Sequence, residues 1–375
     1  MGPSAGTTRM KRWTDIRRQS GTMMVLLTVV IISLPVVCLT AGKPFFLTQL
    51  TMSAYYTMVV MGLCMLLGHA GQASLGHAAF FAIGGYASAR LTTLNLAGAI
   101  SPRITSFLGR LHVITGHVMP DGITGYSITP WVALLFALAL ACLIAGILGY
   151  PALRLRGHYL AMATLGFGLI VYRILLGTAW LGSADGITEV PPLILGPDWR
   201  ICGDRNLRVQ NYYLAWGLVL ALYIVLQNLI HSRVGRALRA IHDNETAASC
   251  VGIRTEREKL KIFILSAAIA ALAGSLFTHY TGGIGPSEAG AGKSIRYLAL
   301  VAAGGMSSMT GCLLVSAGVN FFSLRGYFGS MDHAVFGFIL IVMVSGFAGA
   351  ILQTTRRWST TWVSRIRNSR QVHGT

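Results

Sequence analysis

Apolar stretches of about twenty residues recur along this chain from one end to the other, and they fix its class before any other feature is weighed. A bilayer hydrocarbon core about 30 Å thick takes roughly 20 residues of helix to cross. No water enters that layer to pair with the backbone, so each such run has to satisfy its own N–H and C=O groups as a helix. The runs cover residues 23–41, 45–67, 75–96, 130–149, 158–178, 212–230, 260–280 and 332–351. A further apolar stretch, 294–324, is interrupted by GGMSSMTG at Gly304 to Gly311 and reads as two half-helices. Composition agrees, with 54% hydrophobic and 11% charged residues, where a soluble domain carries roughly 25% charged. The expected fold is an all-α polytopic membrane protein with about eight transmembrane helices plus a re-entrant or broken helix pair.

Lysine and arginine set the orientation. Nineteen of the 30 fall in four segments: the arm 1–22, the loop 151–157, the loop 231–261 and the tail 353–375. Basic segments stay on the cytoplasmic side, so both termini are expected inside, around a transmembrane domain at 23–352. The net charge of +18 then reflects topology and contact with anionic lipid, not nucleic acid. Arg17 and Arg18 precede the first run like a twin-arginine signal, but that run is long enough to span and no A-x-A cleavage site follows, so a retained helix is expected. The six cysteines have no CxxC spacing, so neither a metal site nor a disulfide framework is expected.

One segment invites a nucleotide reading. EAGAGKS, Glu288 to Ser294, ends like a phosphate-binding loop, but Ser287 stands where that loop needs its first glycine. On the expected topology it also lies on the outer face without a preceding strand, and Lys293 reads as an interfacial cation at a helix entrance. All twelve acidic residues fall in expected loops or span ends. An ion-coupled secondary transporter, the alternative reading, normally needs a carboxylate at membrane depth. Arg173 is a basic residue well inside a span, where it either snorkels to the interface or faces a pathway.

Glycine carries more of the functional signal. GHAGQASLGHAAFFAIGGYASA, Gly68 to Ala89, sets Gly76 and doubled glycines among Gln72, Ser74 and His77. Close helix packing accounts for many such runs, yet a broken helix lining a path also suits them. A second break lies at Gly304 and Gly305, in the other half of the chain, and interrupted segments in both halves point to a transport site. The candidate path residues are Gln72, Ser74, Gly76, His77 and Phe80, with Thr164, Gly166, Gly304 and Gly305. In the cytoplasmic loop, Asp243 is a candidate N-cap for a short helix that Gly252 can end, with Glu245 in its positive first turn. Thr255 and Glu258 have the spacing of a capping box before the next span. Such a capped two-turn helix, carrying Ala247 and Ala248, is a compact knob for a groove on another protein.

Four blocks now carry a resemblance: GQASLGHAAFFAIGGY, LRLRGHYLAMATLGFGLIVYRIL, GRALRAIHDNETAASCVGI and SIRYLALVAAGGMSSMTG. In this order, from about Gly68 to Gly311, they resemble the signature blocks of LivM-type permease subunits of branched-chain amino-acid ABC importers, the LivH/LivM permease family. The resemblance implies a bacterial inner-membrane subunit without a catalytic site. It implies a second permease subunit in a heterodimer, two cytoplasmic ATPases that bind the ATP, and a periplasmic solute-binding protein. The coupling residues it implies are Arg239, Asn244, Glu245, Ala247, Ala248 and Gly252. The segment WLGSADGITEVPPL, Trp180 to Leu193, is similar to the family's outer loop. Departures are Leu169 where an acidic residue is common, Met309 and Thr310 after the second break, and the outer insert 97–129. Members of such families also move urea, short amides or aromatic compounds, so the solute stays open.

Overall fold

The computed structural model describes residues 27–94, 114–118, 124–152, 158–195 and 199–326, with single positions between 331 and 341. The basic arm, the loop 153–157, most of the outer insert, most of the last expected span and the tail lie outside the described residues. Among the described residues, five helices are long and apolar enough to cross a membrane: Phe45–His69, Pro130–Ala152, Tyr159–Gly177, Arg208–His231 and Thr255–Thr281.

In chain order the helices are α1 (Leu27–Thr40), α2 (Phe45–Cys64, continued by a π-turn Met65–His69), α3 (His77–Thr93), α4 (Pro130–Ala152), α5 (His158–Gly177), α6 (Arg208–His231), α7 (Arg233–Asp243), α8 (Glu245–Cys250), α9 (Thr255–Thr281), α10 (Ala291–Ala303) and α11 (Met309–Leu324). The interrupted apolar stretch is thus a broken pair, α10 and α11, as its glycines led one to expect. The chain is all-α in class, with two small antiparallel ribbons between its helices among the described residues. One pairs β1 (Ile114–Val118) with β2 (Thr124–Ile128), and the other pairs β3 (Leu193–Ile194) with β4 (Arg200–Ile201). Their β-branched residues suit strand pairing where no apolar helix period exists.

The core is built around α2 and α9. Every residue of α2 from Ser53 to Cys64 is buried, and a helix apolar on all sides belongs in the interior. Small residues let its neighbours approach: Ala133, Ala137, Ala141, Ala145 and Gly149 form the buried stripe of α4, a four-residue period that brings backbones close. Polar side chains also bond across helices, Ser53 Oγ to Ala317 O at 2.8 Å and Thr57 to Ser316 at 3.2 Å, which tie α2 to α11. The outer faces of α4 and α5 stay apolar and exposed, through Leu135, Leu143 and Ile147 on one and Met162, Ile170 and Ile174 on the other. Such faces suit lipid or a partner helix.

Candidate functional site

The two glycine breaks, separated by more than two hundred residues in sequence, meet in space. At the end of α2 the π-turn swings Gly68 against the loop after α10, so close that a Cβ there would fall 1.6 Å from the Met306 carbonyl oxygen. Cys64 Sγ reaches the same carbonyl at 3.4 Å. That loop turns on Gly305, whose φ of +83° is accessible chiefly to glycine, and Ser308 then caps α11 by accepting the Gly311 N–H at 3.1 Å. From Gly68 the chain climbs back: the Leu75 N–H donates to Thr164 Oγ1 of α5 at 2.9 Å. At the start of α3, His77 Nε2 meets Ser266 Oγ of α9 at 2.7 Å, and the Ala78 N–H donates to Ser294 Oγ of α10 at 3.3 Å.

The candidate path residues are therefore largely brought together, but as a packed junction. Gln72, Ser74, His77, Phe80 and Thr164 are all buried, Gly76 faces the Thr164 carbonyl, and Gly304 lies against the backbone of Cys312. Only Gly166 among them borders open space. An apolar cavity of about 330 Å³ lies beside the junction, lined by Leu148, Pro151, Ala163, Thr164, Phe167 and Phe263. Arg173, on α5, is on the exposed face with Leu169 and Ile170. Ser266 was not legible as a site residue, because a serine in an apolar span gives no signal of its partner. Ser266→Ala is expected to leave the buried His77 ring without its hydrogen bond and to destabilise the fold by about 1–3 kcal/mol. Thermal unfolding in detergent reads this; an unchanged midpoint would refute it.

The basic loop 231–261 folds into two short helices. Ser232 caps α7 by accepting the Val234 and Gly235 N–H groups at 3.2 and 3.4 Å, and the Arg239 guanidinium donates to the Ile230 carbonyl at 3.4 Å. The cap of α8 is Asn244, whose Oδ1 accepts the Ala247 N–H at 3.0 Å. The expected cap, Asp243, is instead the last residue of α7. Gly252 closes α8 with φ +84°, as its position suggested. The Thr255–Glu258 capping box does not form: the Arg254 carbonyl already accepts the Glu258 N–H, so Thr255 is inside the helix. Glu258 pairs with Lys261 at 2.7 Å instead.

Glu245 is paired within the chain, to Lys259 of α9 at 2.6 Å, and Ala248 is buried. The face left open carries Thr246, Ala247 and Val251, the last 76% exposed. His242, at the end of α7, lies against the first break, where a Cβ on Gly71 would fall 2.8 Å from its Nδ1. The loop that carries α7 and α8 thus reaches the glycine junction directly.

Glu288 lies in the turn between α9 and α10, in keeping with the expectation that the acids fall in loops or span ends: its carboxylate accepts from Lys293 Nζ at 3.1 Å and from the Tyr56 hydroxyl at 3.2 Å. The ATP-like segment makes a 3₁₀ turn, Pro286–Ala289, and then starts α10 behind Gly290. No strand precedes it, Lys293 is held by Glu288, and Ser294 is bonded to α3, so it does not have the form of a phosphate loop.

Comparison with known proteins bears on this geometry. Residues 45–352 match the family described as branched-chain amino acid transport system / permease component. The chain belongs to that permease family. It is 30% identical over 285 residues to the high-affinity branched-chain amino acid transport system permease protein LivM of Escherichia coli K12, covering 71% of this chain and 60% of that relative. It is 24% identical over 322 residues to LivH of the same organism, covering 83% of this chain and 88% of LivH. Inner membrane ABC transporter permease protein YjfF of E. coli K12 is 27% identical over 221 residues, 57% of this chain and 62% of YjfF. No solved structure matches the chain at a significant level. The matched region contains α2 to α11, so the glycine junction, the α7–α8 loop and the Glu288–Lys293 pair of this permease all lie within the family's domain.

Proposed function

We propose that this chain is a transmembrane subunit of an ABC importer in a bacterial inner membrane. With a second permease subunit it forms the path for a branched-chain amino acid or a related small solute. Two cytoplasmic ATPases bind and hydrolyse the ATP, a periplasmic solute-binding protein delivers the solute, and this subunit has no ATPase site of its own. The observation that carries the reading is the contact of His242 in α7 with Gly71 in the first break. A push on the α7–α8 unit reaches the junction through one packed contact, without a long relay. Nucleotide binding draws the ATPases together, the coupling helices follow, and the Gly68–Met306 junction switches from closed to open toward the cytoplasm. Both termini inside and eight spans plus the broken pair belong to the same reading. Its relatives' names, which specify branched-chain amino acid transport and an inner-membrane ABC permease, support it.

The ion-coupled carrier is disfavoured for want of a carboxylate at membrane depth, since the acids of the described residues lie in loops, turns or helix ends. The Glu288 carboxylate, in the turn Pro286–Ala289, is moreover taken up by Lys293 at 3.1 Å and by Tyr56. Membrane vesicles holding the chain and its co-expressed neighbours should accumulate solute with ATP inside and no ion gradient, and two ATPases should co-purify. Uptake driven by a proton or sodium gradient without ATP would instead establish the carrier.

A further inference from the structure

The apolar cavity beside the junction has no part in the importer reading. It lies between two spans: the last turns of α4 supply Leu148 and Pro151, α5 supplies Ala163, Thr164 and Phe167, and Phe263 of α9 completes the lining. Pro151 and Ala163 are exposed and mark its mouth, whereas Thr164 and Phe263 are buried and form its inner wall. The surface around that mouth is apolar. Ile147 and Tyr150 of α4 and Tyr159 and Met162 of α5 are each 60% or more exposed. Both helices are long and apolar enough to cross a membrane, so these side chains stand in the hydrocarbon layer or at its edge.

Water has little hold there. The volume of about 330 Å³ would take roughly ten waters at about 30 Å³ each, and every one needs two to four polar partners. Among the described lining residues only Thr164 has a polar side chain, and its hydroxyl is committed. It donates toward the Leu160 and Ala161 carbonyls, each at 3.0 Å, and accepts the Leu75 N–H at 2.9 Å. A partner helix does not fill the space either, because a helix with its side chains is about 10–12 Å wide and this volume is that of a cube about 7 Å on edge. It would lie across the mouth and leave the cavity beneath. An empty cavity forfeits the dispersion contacts that a filled one makes. What remains is a hydrocarbon chain, slender, apolar and supplied by the bilayer at the mouth.

We propose that this cavity is a binding site for one acyl chain of a membrane phospholipid. The chain enters between α4 and α5 past Pro151 and Ala163 and lies against Phe167 and Phe263. Those two rings also back the first glycine break. The ring centre of Phe167 is 5.2 Å from that of Phe80, and the ring centre of Phe263 is 5.8 Å from Phe80 and 6.4 Å from His77. A Cβ on Gly76 would fall 3.3 Å from the Thr164 Cβ and 3.5 Å from Phe167 Cδ1. A seated chain therefore braces the residues on which the break rests, and its departure gives Phe167 and Phe263 space to move into. Chain occupancy and the position of the break are linked in this way. The site depends neither on the importer reading nor on which solute is carried.

The test uses the full chain, with whatever co-purifies, in nanodiscs containing a phosphatidylcholine that carries a diazirine near the end of one acyl chain. Illumination and peptide mass mapping should place label on Phe167 and Phe263 as well as on the exposed faces of α4 and α5. Ala163→Trp, which puts a bulky ring in the mouth, should cut the label on Phe167 and Phe263 at least fivefold and leave that on Leu135 and Leu143 unchanged. Ala163→Leu, a smaller plug, should cut it at least twofold and decides the matter if the tryptophan variant does not assemble. Label confined to the outer faces of the parent overturns the proposal whatever the variants do. So does parental label on Phe263 in an assembled Ala163→Trp, and so does protection of Phe263 by excess L-leucine, which would give the cavity to a transported solute.

Discussion

Gly274→Val is expected to leave almost no folded chain in the membrane, and Gly84→Leu to do the same. The two glycines face each other's helices across the α3–α9 contact. A Cβ on Gly274 would come 1.9 Å from the Phe81 carbonyl oxygen, and one on Gly84 would come 2.2 Å from that of Ala271. Both obstacles are backbone, so no rotamer change relieves them. Nor can α9 step aside, because α2 and α9 are buried along most of their length. Between helices in a bilayer, association depends on van der Waals packing and interhelical hydrogen bonds, and separating these two would also strain the His77–Ser266 bond and the Ser88–His279 bond of 2.8 Å. Overpacking a core side chain already costs about 1–3 kcal/mol. Here the cost should be about 3 kcal/mol or more, a large part of a total of roughly 5–15. Gly217 and Gly318 are the controls: each has open space at its Cβ, and alanine there should be neutral or stabilising by up to about 1 kcal/mol. Membrane yield and a monodisperse profile in detergent measure all four variants. Parental yield of Gly274→Val would mean that the α3–α9 contact is wrong.

The spans and the broken pair were legible because a bilayer imposes one length and one composition on whatever crosses it. The run at 45–67 became Phe45–His69, and the one at 130–149 became Pro130–Ala152. Errors arose where polar residues extend a helix into water, as at the start of α9, which begins five residues before the apolar run. They arose again where an apolar run is not helical throughout: Leu75 and Gly76 belong to the break, and α3 starts at His77. The cap of α8 was misplaced by one residue because Asp243 and Asn244 are both good caps, and the choice depends on how far α7 runs before it stops. Glu288 was legible as a loop acid, but its partners were not: Lys293 is five residues away, whereas only the fold brings Tyr56 of α2 against it. The short helix of the loop 231–261 was legible, yet its inner and outer faces were not, since a six-residue helix has too few turns for periodicity to separate Ala247 from Ala248.

That separation decides how the coupling role should be tested. Ala248 is buried against its own chain, so Ala248→Arg would damage α8 itself, and loss of transport in that variant would carry no information about a partner. Ala247 and Val251 are exposed, and Val251, at 76%, is an aliphatic side chain just past the end of α8 with nothing from the described chain covering it. An apolar anchor of this kind, in a groove on another protein, is where binding energy concentrates. Val251→Asp with Ala247→Arg should therefore leave insertion, yield and pairing with the second permease subunit unchanged, because neither side chain packs on the core. The cap from Asn244 and the ion pair from Glu245 to Lys259 stay in place to hold α8. Loss of an anchor worth about 2 kcal/mol should weaken capture of the ATPases by roughly thirtyfold. Solute-stimulated ATP hydrolysis and uptake should then fall together by an order of magnitude, while the solute-binding protein keeps its affinity for solute. Val251→Leu, which preserves the apolar knob, should retain most of both activities. Uptake at the parental rate in the double variant would remove the α7–α8 unit from the coupling path and leave the His242–Gly71 contact as packing alone.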